Sequence, residues 1–269
     1  MKKLERIIPV ALLCILWGNL ACADPTKDAW TKLVGKKFEN RSEFSFVENN
    51  PALPNLLIYG DSISIGYTRC VREKLKGKAN VYRLHCNGGD SGSFITHMTK
   101  MHDVMRNKKL NRPWTFQWDI IHFNVGLHDL KYLSKGKLDK KNGKQVSSTD
   151  AYKKNLHAIV AYLKKLSPDA KLIFATTTPV PEGESGRIAG DAERYNAAAI
   201  VVLRKFPEIT INNLFTFTKP NHSKWWTKPG NVHYNATGKD AQGAEVARII
   251  IEAISKKEKS NKAMDRDKK

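Results

Sequence analysis

The sequence predicts an α/β fold, a mainly five-stranded parallel sheet with helices on both faces. Three observations lead there. From Leu56 onward, short apolar β-like runs alternate with stretches of helical periodicity, the pattern of strand–helix–strand units in a parallel sheet. The chain has 269 residues, enough for one such domain with its own core. No internal repeat divides it.

The elements follow in order. Residues 1–23 stand apart: "MKKLER" is a positive stretch, "IIPVALLCILWG" an apolar one, and "ACA" has the small-x-small form of a cleavage site. The apolar run is short for a membrane span. A signal peptide and export to a periplasm or the exterior are therefore expected, with a lipid anchor through Cys22 as the alternative. Residues 24–54 read as an irregular lead-in whose Trp30, Phe38, Phe44 and Phe46 pack on the domain. The domain itself is expected over 55–255. "LLIYG" opens it as a strand, followed by a helix over 63–76 that stops at Gly77. "ANVYRL" is the second strand and 92–106 the second helix. "DIIHFNVG" and "KLIFATTTP" are further strands, with "ITINNLF" a weaker last one. Between them Tyr152, Leu156, Ile159, Leu163 and Leu166 keep the spacing of a helix laid on a sheet. Ala247, Ile250 and Ile254 do the same near the C-terminus.

Charge narrows the partners. The formal net charge is +20, and residues 256–269, a basic tail expected to be disordered, hold seven basic and three acidic residues. The remaining excess suits an anionic polymer or an envelope surface. Zinc-ligand spacing, an aromatic RNA-binding signature and a helix-turn-helix pattern are all missing, which argues against nucleic acid. Past residue 23 only Cys70 and Cys86 remain. They are either a disulfide in an oxidising compartment or two buried thiols.

In parallel sheets ligands bind beyond the carboxyl ends of the strands, and there the chemistry-bearing residues collect. Ser62, in "GDSIS", follows the first strand at a strand-to-helix corner, where helix N–H groups are unpaired. A serine there can attack a carbonyl and hold the oxyanion that results, although Gly-Asp-Ser alone also describes a helix N-cap. "CNGGDSG" follows the second strand, and a glycine in it lets a backbone N–H approach a ligand. "FNVGLHDL" ends the third strand, and "PGNVHYNATG" precedes the last helix with Asn235 as its expected N-cap.

These four stretches, in this order over residues 56 to about 250, resemble the blocks of the SGNH, or GDSL, hydrolase superfamily. The resemblance implies a flavodoxin-like three-layer α/β/α sandwich and a serine hydrolase. "GDSIS" puts the nucleophile on Ser62. "NGGDSG" puts an oxyanion-hole N–H on Gly89, beside that of Ser62. "NVH" puts the general base on His233. Two positions depart from the pattern: His128 stands where the family has an oxyanion-hole asparagine, and Gly230 where it has the triad aspartate. A "TTTPVPEG" stretch, Thr176 to Gly183, is similar to exported bacterial members that share both changes. An imidazole N–H can serve as the third oxyanion donor. Without the aspartate, a Ser62–His233 dyad is expected, oriented by a backbone carbonyl or by Asn231, with Asp129 and Glu182 as alternatives for a relocated acid.

Arg187 is a candidate substrate contact or a solvated loop arginine. Trp225 and Trp226 form a sugar platform or a loop anchor, while Asp61, Tyr195 and Asn196 read as structural. The implied reaction is ester hydrolysis through an acyl-enzyme, most simply deacetylation of a carbohydrate, with no metal or organic cofactor. A lipase, lysophospholipase or thioesterase of the same fold is the alternative; the lack of a long apolar lid argues against long acyl chains. A non-catalytic glycan- or envelope-binding module on a degenerate hydrolase fold is the alternative of another class.

Overall fold

The computed structural model describes residues 24–266, with side chains described up to Lys257. The expected leader and Cys22 lie outside the described residues. Five parallel strands form the central sheet: β1 (Asn55–Tyr59), β2 (Asn80–Arg83), β3 (Ile120–Phe123), β7 (Lys171–Ala175) and β8 (Thr210–Asn212), in the order β2-β1-β3-β7-β8. Leu56 pairs with Val81 on one side and with Ile120 on the other. All residues of β1 and β3 are buried, because helices cover both faces. That is why these strands read as continuous apolar runs rather than alternating ones.

Helices α2 (Ser62–Lys74) and α8 (Ala236–Arg266) pack together in one layer, with the short α6 (Leu214–Thr218) and α7 (His222–Trp225) against α8. In the other, α1 (Pro25–Val34) meets α3 (Phe94–Met105), and α4 (Thr149–Leu166) meets both α3 and α5 (Asp191–Leu203). The helical face expected from Tyr152 to Leu166 is buried as far as Leu163, with Leu166 half-buried against the core. The strand order makes the chain switch direction between β1 and β3, and the crevice at such a switch point is where α/β sheets bind ligands. The corner after β1 and the "GLHD" stretch after β3 both open there.

Two expectations change, one open alternative is resolved, and one element is new. The lead-in is not irregular throughout: Asp24 caps α1 by accepting from Thr26 N–H, with Pro25 at the first helical position. Its aromatic residues do pack as expected, with Trp30 and Phe44 buried and Phe38 and Phe46 against the core. The tail expected to be disordered continues α8 to Arg266, since its Lys-, Glu- and Ala-containing sequence is a good helix former without needing an apolar stripe. Cys70 and Cys86 are free thiols; Cys70 Sγ–H points to the Asp240 carbonyl under α8 at 3.3 Å. Finally, a three-stranded antiparallel flap, β5-β4-β6, is inserted over residues 132–145. Its strands β4 (Tyr132–Ser134), β5 (Lys137–Leu138) and β6 (Lys144–Gln145) are too short to show a period.

Arg83, in β2, fixes the nucleophile corner and was legible only as a strand residue. It is fully buried. Its Nη1 donates to Ser64 Oγ and Thr68 Oγ1, both at 3.1 Å, and its Nη2 to the carbonyls of Gly60 (3.3 Å) and Cys86 (3.4 Å). The guanidinium also lies 4.8 Å over the Phe44 ring. One cation thus joins both sides of the corner to the loop that leads to Gly89. Removing it strands several buried acceptors, so Arg83→Met should destabilise the protein by about 2–4 kcal/mol. The midpoint of denaturant unfolding measures this, and a shift within about 0.5 kcal/mol would refute the role.

Candidate active site

Asp61 shapes the β1–α2 corner. Its Oδ1 accepts from Ile63 N–H at 2.8 Å and caps α2, whose first residue is Ser62. The Ser62 N–H therefore belongs to the unpaired first turn of a helix. Asp61 is 1% exposed, and its other oxygen has no hydrogen-bond partner. Ser62 itself is half-buried, at the mouth of the crevice.

His233 reaches Ser62 from the loop before α8. Its Nε2 lies 2.9 Å from Ser62 Oγ, and its Nδ1 lies 2.8 Å from Asn231 Oδ1. The His233 backbone N–H donates to the same Asn231 atom, also at 2.8 Å. An atom that receives a backbone N–H is an acceptor, so the amide orientation is fixed and Nδ1 carries the proton. Nε2 is then the lone-pair nitrogen facing Ser62, the tautomer a general base requires. The loop is held by Trp225 and Trp226: Asn235 N–H donates to the Trp225 carbonyl at 2.7 Å, and Trp226 bridges to Tyr234. Trp225 packs on Phe217 and Trp226 on His222, the anchoring role. Asn235 caps α8 through Gly238 N–H at 3.0 Å.

Gly230, where the resembled pattern has an aspartate, is at φ 71°, and a Cβ there would meet the Gly183 carbonyl oxygen at 3.1 Å. An aspartate would be strained in this left-handed conformation. The loop backbone occupies the space an acid would enter, and Asn231 takes over the Nδ1 contact. The two alternative acids sit elsewhere. Glu182 is exposed on its loop. Asp129 is buried and accepts from Ser91 N–H (3.0 Å) and Ser91 Oγ–H (2.5 Å), which ties the glycine block to the strand-β3 block. Burial raises the Asp129 carboxyl to about 6, against those hydrogen bonds.

His128 is half-buried, with its Nδ1 3.1 Å from Lys131 Nζ. Burial pushes its pKa down to about 4; Asp61 opposes this, and the charges of Lys131 and Arg187 add to it. The ring is neutral at physiological pH. An ammonium has donors only, so Nδ1 accepts from Lys131 and Nε2 carries the hydrogen. His128 is thus a fixed Nε2–H donor at the switch point. Gly89 is at φ 66°, and its N–H donates to Asn87 Oδ1 at 3.1 Å. That N–H is free for another acceptor only when the Asn87 side chain turns away. Gly126, the glycine of "GLHD", is at φ 139° with Thr177 Oγ1 in the space a Cβ would take, so no side chain fits.

Arg187 is not a solvated loop arginine. It is 6% exposed, donating from Nε to the Leu127 carbonyl (2.8 Å) and from Nη1 to Glu184 Oε1 (3.0 Å). It clamps its loop to the end of the β3 block, and two of its donor nitrogens are taken by the protein. Tyr195 and Asn196 pack as expected: the Tyr195 hydroxyl donates to the Ser147 carbonyl, and Asn196 bonds both backbone groups of Thr177. Among the described residues no group of three or more His, Cys, Asp or Glu could hold a metal ion.

The pKa of His233 is lowered from its ordinary value, first by desolvation, with Arg187 and Lys239 adding to the shift and Asp61 and Glu184 opposing it. A base must be unprotonated, so activity should rise with pH through that lowered pKa. The acid limb of kcat/KM is therefore expected below pH 6.5, the ordinary imidazole value. A limb at or above it would contradict the assignment.

No family model and no curated protein matches this chain by sequence. Solved structures match it by fold. An acetyl xylan esterase, AlAXEase, superposes with a TM-score of 0.54 at 16% identity, covering 73% of this chain and 99% of that one. A lipase/acylhydrolase from Enterococcus faecalis gives 0.55 at 14% identity over 73% and 95%. The acetylxylan esterase Axe2 from Geobacillus stearothermophilus gives 0.52 at 16% identity over 75% and 94%. The order β2-β1-β3-β7-β8 and the three layers are therefore those of the GDSL/SGNH-type hydrolases, whose fold this chain has.

Proposed function

We propose that this protein is an exported serine esterase that removes a short acyl group, most simply acetyl, from a carbohydrate. The observation that carries the proposal is the Ser62 Oγ–His233 Nε2–Asn231 arrangement, with 2.9 and 2.8 Å contacts and a fixed tautomer. His233 takes the Ser62 proton as Oγ attacks the ester carbonyl. The N–H groups of Ser62 and Gly89 and the Nε2–H of His128 receive the oxyanion. His233 then passes its proton to the departing alcohol, and water resolves the acyl-enzyme by the reverse sequence. The acetyl and carbohydrate parts draw support from the acetyl xylan esterases among the structures with this fold.

A fluorophosphonate probe tests the chemistry directly. One equivalent should add to the peptide containing Ser62, and labelling should be blocked by prior acid unfolding. Failure of the folded protein to label would leave the non-catalytic binding module as the better reading.

A further inference from the structure

The flap beside the site has an unusual charge. Residues 131–145 read "KYLSKGKLDKKNGKQ", with six lysines and one acid, Asp139. Asp139 is used internally, accepting from the N–H groups of Lys141 and Asn142 at 3.0 and 2.9 Å. Among the described residues, none of the six lysines forms an ion pair, whereas Lys153, Lys164, Lys219 and Lys257 each pair with a carboxylate. The turn from β4 to β5 holds Lys135 and Gly136, both at positive φ, and Lys137 follows at once. Lys135, Lys137, Lys140, Lys141 and Lys144 are all exposed. Holding like charges this close in a short ribbon costs self-repulsion, which an anionic partner would relieve.

The flap is continuous with the wall of the site. Tyr132 N–H donates to the Gly186 carbonyl at 2.8 Å, and Leu138 lies against Gly186. Gly183 of that loop abuts Gly230, in the loop that presents His233. At the inner end of the flap, Lys131 touches His128. On the far side, Lys239 crosses Gly66 on α2 and places a second cation near His233. A chain lying along this wall would meet the flap lysines at its outer end and Lys131 and Lys239 near the site, with Glu182 the exposed acid on the loop between them.

We infer that the flap lysines bind the unreacted part of the substrate, and that the substrate is an acylated polyanionic polysaccharide bearing carboxylate or sulfate groups. This rests on the esterase reading for the acyl group but not for the polymer contact. A neutral polymer such as xylan would gain nothing from the flap. Charges this exposed act through long-range attraction, which salt screens over about 10 Å at 0.1 M.

Two arms test it. In the binding arm, Ser62→Ala protein is passed over immobilised polygalacturonate and over neutral xylan. Retention is expected on the first only, with elution by about 0.3 M salt. The variant K135Q/K137Q/K140Q/K141Q/K144Q, built on Ser62→Ala, should lose that retention, while K108Q/K109Q, at the opposite end of the fold, should keep it. In the kinetic arm, the ratio of kcat/KM on acetylated polygalacturonate to that on p-nitrophenyl acetate should fall about tenfold in the flap variant. Wild-type turnover of the acetylated polyanion should show the same loss in high salt, while turnover of acetylated xylan stays flat.

Equal retention of the flap variant, equal losses in both lysine variants, or salt-independent turnover would overturn the inference. So would tighter binding of the same lysines to duplex DNA or to anionic vesicles. Absence of any ester turnover would sink the esterase reading alone, because the binding arm needs no catalysis.

Discussion

Ser62→Ala and His233→Ala should each lower turnover of a small acetyl ester by about 10⁴-fold or more, and the double variant should lose no more than the worse single one. The non-additivity follows from the 2.9 Å contact between them: the hydroxyl is a weak nucleophile without the imidazole, and the imidazole has no proton to take without the hydroxyl. Asn231 gives the assignment a finer test. It orients His233 as a triad carboxylate would, but as a neutral amide it stabilises the imidazolium less. Asn231→Ala should cost about tenfold to a hundredfold in kcat, because Nδ1–H loses its acceptor. Asn231→Asp keeps the acceptor in place and adds a charge. The charge favours protonated His233, so the acid limb moves to higher pH, and above that limb turnover should rise. Equal acid limbs in the wild type and both Asn231 variants would mean that His233 is not the base.

The sheet and the positions of Ser62 and His233 were legible because each rests on a pattern that survives in one sequence. Buried parallel strands make unbroken apolar runs such as "LLIY" and "IIHF", and the chemistry follows the ends of those runs in order. Asn231 was legible as one option beside a backbone carbonyl, Asp129 and Glu182, since a residue two positions before the histidine can fold back onto it. What sequence could not supply is what depends on approach between distant segments. Sequence shows only the absence of an acid at Gly230, whereas the fold brings the loop containing Gly183 against it. Arg187 read as either a substrate contact or a solvated loop arginine because its partners, the Leu127 carbonyl and Glu184, meet only after two loops close. Arg83 sits mid-strand, where its side chain gives no periodic signal of its four acceptors. For the flap a local signal existed: the turn sequence "SKGK" fills the gap between Leu133 and Leu138, and "KNGK" starts three residues after Leu138.

His128→Ala should lower kcat on an acetyl ester by about a hundredfold to a thousandfold with little change in KM, the signature of a donor that acts on the oxyanion rather than on bound substrate. His128→Asn restores an N–H donor of similar reach and should recover most of that loss. Lys131 supplies the control. As a positioning residue it touches only the other nitrogen of the ring, at 3.1 Å, and holds the Nε2–H tautomer. Its charge also helps to keep the ring neutral, so Lys131→Met should raise the pKa of His128 from about 4. Lys131→Arg should leave that pKa low. Titration of the imidazole by NMR reads this directly, and a merely structural lysine would not move it. The kinetic cost of Lys131→Met should be about threefold to tenfold, since the donor tautomer remains accessible but is no longer enforced. Near-normal kcat in His128→Ala would remove the third donor from the mechanism, leaving an oxyanion hole of two backbone N–H groups, of which that of Gly89 is already engaged by Asn87.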